Sequence, residues 1–262
     1  MTMTRPTPSR TSQAVAIVRS HLRRPHSPGG ESDAQLRLCA GMTGGRGMPA
    51  PLRAHLAART RFVDRQVLGA IERGVHQIVV VGAGYDDRAL RFRSRGVRFV
   101  ELDHPSTQAD KGRRLDRMKA DLSGITLAPV DFRVDDVDRV LAGAGHARHR
   151  ASLFVAEGLL VYLDEGTILG LLTGLRRRAA TGSSLVVSLA VHGEGADSES
   201  VVAHVNAGRR HGEAEPWRTI LPVRRHLDLL TESGWTVVES VDDAALGTGA
   251  TPGRSLCAVA LP

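Results

Sequence analysis

Between Gln77 and Leu189 the chain alternates short apolar runs with helix-period segments, and most of the runs stop at a glycine turn or an acid. Ile78–Val81 is too short for a helix and apolar on both faces, which suits a buried parallel strand. It ends in Gly82-Ala83-Gly84. Val97–Leu102 ends at Asp103, Ile125–Val130 at Asp131, and Leu153–Ala156 at Glu157; Leu185–Leu189 makes a fifth strand. Helical segments are expected near Asp87–Arg93, with Asp86 as a cap, then over Ser106–Met118, near Asp135–Leu141, and around Ile168–Ala179. Strand–helix alternation of this kind predicts an α/β fold with a mostly parallel sheet and right-handed crossovers.

The flanks read differently. Met1–Arg10 is a Thr-, Pro- and Arg-rich tail, and Thr11–Leu22 a short amphipathic helix. Pro25–Asp33 and Gly41–Pro51 are loops, and Leu56, Val63, Val67 and Ile71 mark a longer helix closed by Gly74. Beyond the fifth strand, a polar stretch around Gly193–Ser200 leads to an ill-defined segment as far as Trp217. A helix through Val223, Leu227 and Leu230 follows, with strands at Trp235–Val241 and Ser255–Leu261.

Composition removes several function classes. Cys39 and Cys257 form neither a disulfide framework nor a zinc spacing. No apolar run approaches the roughly 18 residues of a membrane span, and the N-terminus lacks a signal-peptide core, so a cytoplasmic protein with no membrane partner is expected. The formal charge of +7 invites a nucleic-acid reading. However, 33 of the 35 basic residues are Arg, spread along the chain as in an Arg-biased genome, and aromatics are only 3%. Little is left on which to stack bases, so no nucleic-acid partner is expected. Arg176, Arg177 and Arg178 suit a helix C-terminus. His146 and His149 flank Arg148 in a polar loop, and no metal site is expected. Trp217 and Trp235 read as core.

Ligands of open parallel sheets sit beyond the carboxyl ends of the strands. Here those ends carry a glycine loop and three acids. A glycine turn admits a ligand close to backbone N–H groups, and an acid about 20 residues later can accept both hydroxyls of a ribose. A nucleoside is therefore expected. A dinucleotide fingerprint wants a third glycine where this chain has Asp87, beside Asp86. Two carboxylates there would repel a pyrophosphate but tolerate the cationic, phosphate-free S-adenosylmethionine. A nicotinamide-dependent oxidoreductase is the alternative of another class.

Four stretches in order resemble the leucine carboxyl methyltransferase family: Arg59-Thr60-Arg61-Phe62-Val63-Asp64; IVVVGAGYDDRALRF (Ile78–Phe92); Glu101-Leu102-Asp103-His104-Pro105; and AEGLLVYL (Ala156–Leu163). Ser233-Gly234-Trp235 ends the last helix in the family manner. The similarity is to the bacterial branch of small-molecule O-methyltransferases that includes polyketide and other natural-product tailoring enzymes. The resemblance implies a class I methyltransferase (Rossmann-like) fold with a seven-stranded sheet and helices on both faces. It also implies a helical cap over residues 11–74, a cofactor-binding domain over 75–262 and an acceptor-site insertion near 190–222. Arg59 would pair with the carboxylate of S-adenosylmethionine and Gly82 and Gly84 would line its methionyl end. Asp103 would hold the ribose, Asp131 would lie beside the adenine amino group, and Glu157 would face the methionyl ammonium. The chain departs from the family at Asp87, where Thr is usual, and in its short, Gly-rich stretch before Arg59.

A carboxylate acceptor is ionised at neutral pH and needs no general base, whereas a hydroxyl or phenol, the other acceptor considered, does. Methyl-ester formation on a small molecule is expected, with orienting groups among Tyr162, His192, His204, Arg209, Arg210 and His211. Gly41–Pro51 is expected to close over the site as a lid. Whether the protein is a monomer or a homodimer is left open.

Overall fold

The structure, a computed structural model, describes residues 8–43, 48–208, 215–242 and 254–262. Three helices come first: α1 (Arg10–Ser20), α2 (Ala34–Leu38) and α3 (Ala50–Glu72). There follow β1 (Gln77–Val81), α4 (Arg88–Arg91), β2 (Arg98–Asp103), α5 (Pro105–Met118), β3 (Ile125–Pro129), α6 (Val137–Gly143) and β4 (Ser152–Ala156). A 3₁₀ turn at Leu160–Tyr162 leads to α7 (Glu165–Arg178), β5 (Ser184–His192) and α8 (Ser198–Ala207). A two-residue β6 (Leu221–Pro222), α9 (Val223–Glu232), β7 (Thr236–Asp242) and β8 (Arg254–Leu261) complete the order.

The strands lie in the order β3-β2-β1-β4-β5-β8-β7, with β6 attached to β5. All pairings are parallel except those of β8, which runs antiparallel to both β5 and β7. The order reverses direction between β1 and β4, so a crevice is expected at their carboxyl ends. Alternation along β1 splits the core in two. Val79 and Val81 face Leu102, Phe154, Ala156 and the α6, α7 and α9 side. Ile78 and Val80 face Phe99, Leu153, Val155 and residues of α3. Trp235 is fully buried, donating from Nε1 to the Leu172 carbonyl at 3.0 Å, while Trp217 is only half-buried.

The differences from expectation lie mostly outside the first four strands. α3 begins at Ala50, inside the stretch read as a loop, because Pro51 falls in its first turn, where a missing N–H costs nothing. α2 and α8 had no recognisable period: α2 has five residues, and α8 buries none of its own. α1 starts at Arg10, within the predicted tail, since the Ser9 hydroxyl caps Ser12 N–H. α4 is a single turn. His146 does lie in the loop before β4 but is buried there, with Nε2 2.9 Å from Ser152 Oγ. No described helix is long and apolar enough to cross a membrane.

Candidate active site

Asp103 closes β2 beside the glycine loop. Its Oδ2 accepts from Gly84 N–H at 2.6 Å and its Oδ1 from His104 N–H at 2.7 Å. Burial raises its pKa, and these two N–H donors partly offset the rise. Each oxygen has a further acceptor site, so Asp103 shapes the loop and still has capacity for hydroxyl donors. Gly82 and Gly84 both take positive φ, +67° and +51°. The close approach they permit is used by the protein itself. A Cβ on Gly82 would lie 2.8 Å from Leu159 Cδ1, and one on Gly84 would lie 2.8 Å from Ser12 Cβ.

Behind the loop, at the end of β4, lies a buried ionic network. Glu157 receives Arg19 Nη2 at 2.7 Å, Arg88 Nη1 at 2.8 Å and Arg59 Nε at 3.0 Å. Arg88 also reaches Asp64 at 2.7 Å and Asp86 at 2.6 Å, and its side chain is fully buried. Arg24, equally buried, joins Asp64 at 2.8 Å to Asp87 at 2.6 Å; Arg91 completes Asp87 at 2.6 Å. A buried carboxylate is tolerated only when paired, which accounts for this density. Burial alone would raise the pKa of Glu157, but Arg19, Arg88 and Arg59 together hold it well below the usual carboxylate range. Asp86 is lowered against its burial by Arg88 and Arg19, and Asp64 by Arg88 and Arg24.

Two expectations change here. Asp86 and Asp87 are not bare carboxylates that repel an anion, because four guanidinium groups neutralise them. Glu157 is placed against three guanidinium groups rather than toward an open ammonium seat. Asp86 does satisfy the first turn of α4, with Oδ1 accepting Arg88 N–H at 2.8 Å, although Asp87 is the N-cap. Five guanidinium groups thus face four carboxylates, an excess of one positive charge. Arg59 is the most exposed of the five, at 12%. It spends only Nε on Glu157; among the described residues its terminal nitrogens have no hydrogen-bond partner.

Other expected positions are scattered. Asp131 pairs locally with Arg133, at 2.9 Å to Nε and 2.6 Å to Nη2, and this hydrogen bonding lowers its pKa to about 2. His192 ends β5 with Nε2 2.8 Å from Ser198 Oγ. Tyr162 is half-buried in the 3₁₀ turn, and His204 is exposed on α8. Arg209, Arg210 and His211 lie outside the described residues, as does 44–47 of the expected lid. No group of three or more metal-ligating side chains is placed to hold an ion among the described residues.

Sequence reasoning missed Arg19 and Arg24, whose only signal was two arginines five apart beside an amphipathic helix. It also missed Lys111. This buried lysine pairs with Glu101 of β2 and donates to the Asp86 carbonyl at 2.7 Å, bracing the glycine loop from below. Its signal was rarity, as one of two lysines in the chain.

The family model for leucine carboxyl methyltransferase matches residues 30–176, the stretch that carries the glycine loop, Asp103 and Glu157. The chain belongs to this family. A protein of Streptomyces coelicolor, provisionally named an S-adenosyl-L-methionine-dependent methyltransferase, is 36% identical over 171 residues, 64% of this chain and 57% of its own length. A similarly named protein of Mycobacterium sp. (strain KMS) is 34% identical over 178 residues, 67% of this chain and 56% of its own. The chain therefore spans just over half the length of these relatives. Its fold is shared with a provisionally assigned methyltransferase from Thermobifida fusca (TM-score 0.63, 15% identity, 97% of this chain and 95% of that one). It is also shared with magnesium protoporphyrin IX methyltransferase from Synechocystis with bound SAH (TM-score 0.53, 11% identity, 88% and 94%).

Proposed function

We propose that this protein is an S-adenosylmethionine-dependent O-methyltransferase that forms a methyl ester on a carboxylate of a small-molecule acceptor, of the polyketide or other secondary-metabolite kind. The carrying observation is the unspent fork of Arg59. A buried network with one excess positive charge, whose most exposed member keeps its terminal nitrogens uncommitted, suits the carboxylate of an amino-acid-bearing nucleoside. The donor set fits the remainder of such a ligand. Asp103 has acceptor capacity for ribose hydroxyls, Gly82 and Gly84 line the approach, and Asp131 lies at the next strand end for the adenine. Glu157 acts from behind, holding Arg59 by Nε so that its outer edge is presented.

When bound, S-adenosylmethionine supplies an electrophilic methyl group. The task of the chain is to hold an acceptor oxygen in line with it, at about 3–3.5 Å, and to exclude water. An ionised carboxylate acceptor asks for orienting donors rather than a base. Tyr162, His192 and His204, with Arg209, Arg210 and His211, are the candidates on the acceptor side. α1–α3 would form the cap over residues 11–74.

Incubation of the protein with isotopically labelled S-adenosylmethionine and fractionated small-molecule extract, followed by mass spectrometry, tests this. The expected product carries one added methyl group and loses it in mild alkali. An alkali-stable methylated product would move the reading to a hydroxyl acceptor, and no labelled product with any fraction would overturn it.

A further inference from the structure

The roof over Gly84 is held down by a residue from near the other end of the chain. α1 begins with unpaired backbone N–H groups, as every helix does. Ser9 caps one of them, that of Ser12, at 3.0 Å. The N–H of Thr11 instead donates to Glu215 Oε2, 204 residues away, at 3.3 Å, and the Thr11 hydroxyl donates to the same oxygen. A carboxylate at a helix N-terminus is favoured by the aligned peptide dipoles as well as by these bonds. One residue further on, Ser12 rests on Gly84, and Ser9 N–H reaches Thr107 Oγ1 at the start of α5, 3.3 Å away.

The two ends of α1 are held unequally. Its C-terminal end is fixed by buried ion pairs, Arg19 to Asp86 and Glu157, with Arg24 to Asp64 and Asp87 just beyond. Its N-terminal end is held by the part-buried contacts of Ser9 and Thr11. Glu215 itself belongs to a strap fastened to the acceptor side. Asn206 of α8 clasps the backbone of Trp217 from both sides, at 2.8 and 2.9 Å, and Arg218 N–H donates to the Val161 carbonyl at 2.7 Å.

We propose that Glu215 is a positioning residue for the cofactor seat: by capping α1 in trans it holds Ser12 down on Gly84, and this latch must open for the cofactor to enter or leave. The inference rests on the cofactor reading above. It makes α1 a roof hinged at Arg19 and latched at Thr11, and it ties cofactor exchange to the strap that borders the acceptor side.

Two measurements on the full-length protein and its Glu215→Ala and Thr11→Ala variants test it. Hydrogen–deuterium exchange without ligand should show faster exchange in the first turn of α1 and unchanged exchange around Arg19. Stopped-flow binding of S-adenosylhomocysteine should show capture and release both accelerated, by about tenfold, with the dissociation constant within about threefold of wild type. Unchanged exchange in the first turn overturns the latch. Faster exchange with unaltered binding rates overturns the gate. Wild-type protein that binds no S-adenosylhomocysteine would sink the cofactor reading and the gate with it, while the exchange data would still judge the latch.

Discussion

The crevice at β1 and β4 and the region around α8 are built on opposite principles. In the crevice, charged side chains are buried and, Arg59 apart, each is held by at least two partners; Arg88 alone meets Asp64, Asp86 and Glu157. Around α8 no helix residue is buried, and the Asn206 side-chain amide joins that helix to the strap through hydrogen bonds with the Trp217 backbone. Burying a charge leaves the chain few acceptable arrangements. An exposed helix leaves it many, so the region around α8 can vary without loss of the fold.

The contrast predicts graded effects. Arg88→Met strips three buried carboxylates of their shared cation, and urea unfolding should show a loss of about 3–5 kcal/mol or no folded protein. Asn206→Ala, on the exposed side, should cost about 1 kcal/mol or less; equal losses for the two would break the comparison. A buried polar group without a charged partner sharpens it. Burial lowers the pKa of His146 to about 4, aided by Arg178. The folded state therefore disfavours the proton that the unfolded chain takes up below about 6.5, and this contribution is lost as pH falls from 6.5 toward 4. It amounts to about 3 kcal/mol at most. His146→Asn should flatten that part of the stability–pH curve, and an unchanged slope would contradict the assignment.

Arg59→Gln removes the rim cation while Arg19 and Arg88 still pair Glu157. Calorimetry should show a loss of cofactor affinity of about 2 kcal/mol with a nearly unchanged melting temperature. The smallest effect belongs to Asp131→Asn. Its exposed pair with Arg133 should contribute under about 1 kcal/mol to stability.

How far the sequence could be read follows the same division. β1 and β4 were legible because strands covered on both faces read as unbroken apolar runs, β2 as a β-branched and aromatic run despite Arg98 and Glu101, and the terminal Gly82, Asp103 and Glu157 lie at the sheet's carboxyl edge. β3 was also legible, with its end placed within one residue. The partners of Glu157 were not legible. Arg19 is brought to it, and Arg24 to Asp64 and Asp87 beside it, by the packing of α1 on α3, a contact that no local spacing encodes. Asp86 and Asp87 were seen as charges but not as neutralised ones: Arg88 and Arg91 lie two and four positions on, but Arg19 and Arg24 come from more than 60 positions away. α8 was missed because an element that buries none of its residues leaves no apolar period, and the candidates His192 and His204 inherited that vagueness.

The central claim is that Arg59, Asp103 and the glycine loop seat a carboxylate-bearing nucleoside. Isothermal titration of the intact protein with S-adenosylhomocysteine tests it most directly. Saturable one-to-one binding is expected, weakened at least about tenfold in Arg59→Gln and in Asp103→Asn. Absence of binding by folded wild-type protein, or full affinity in both variants, would contradict it.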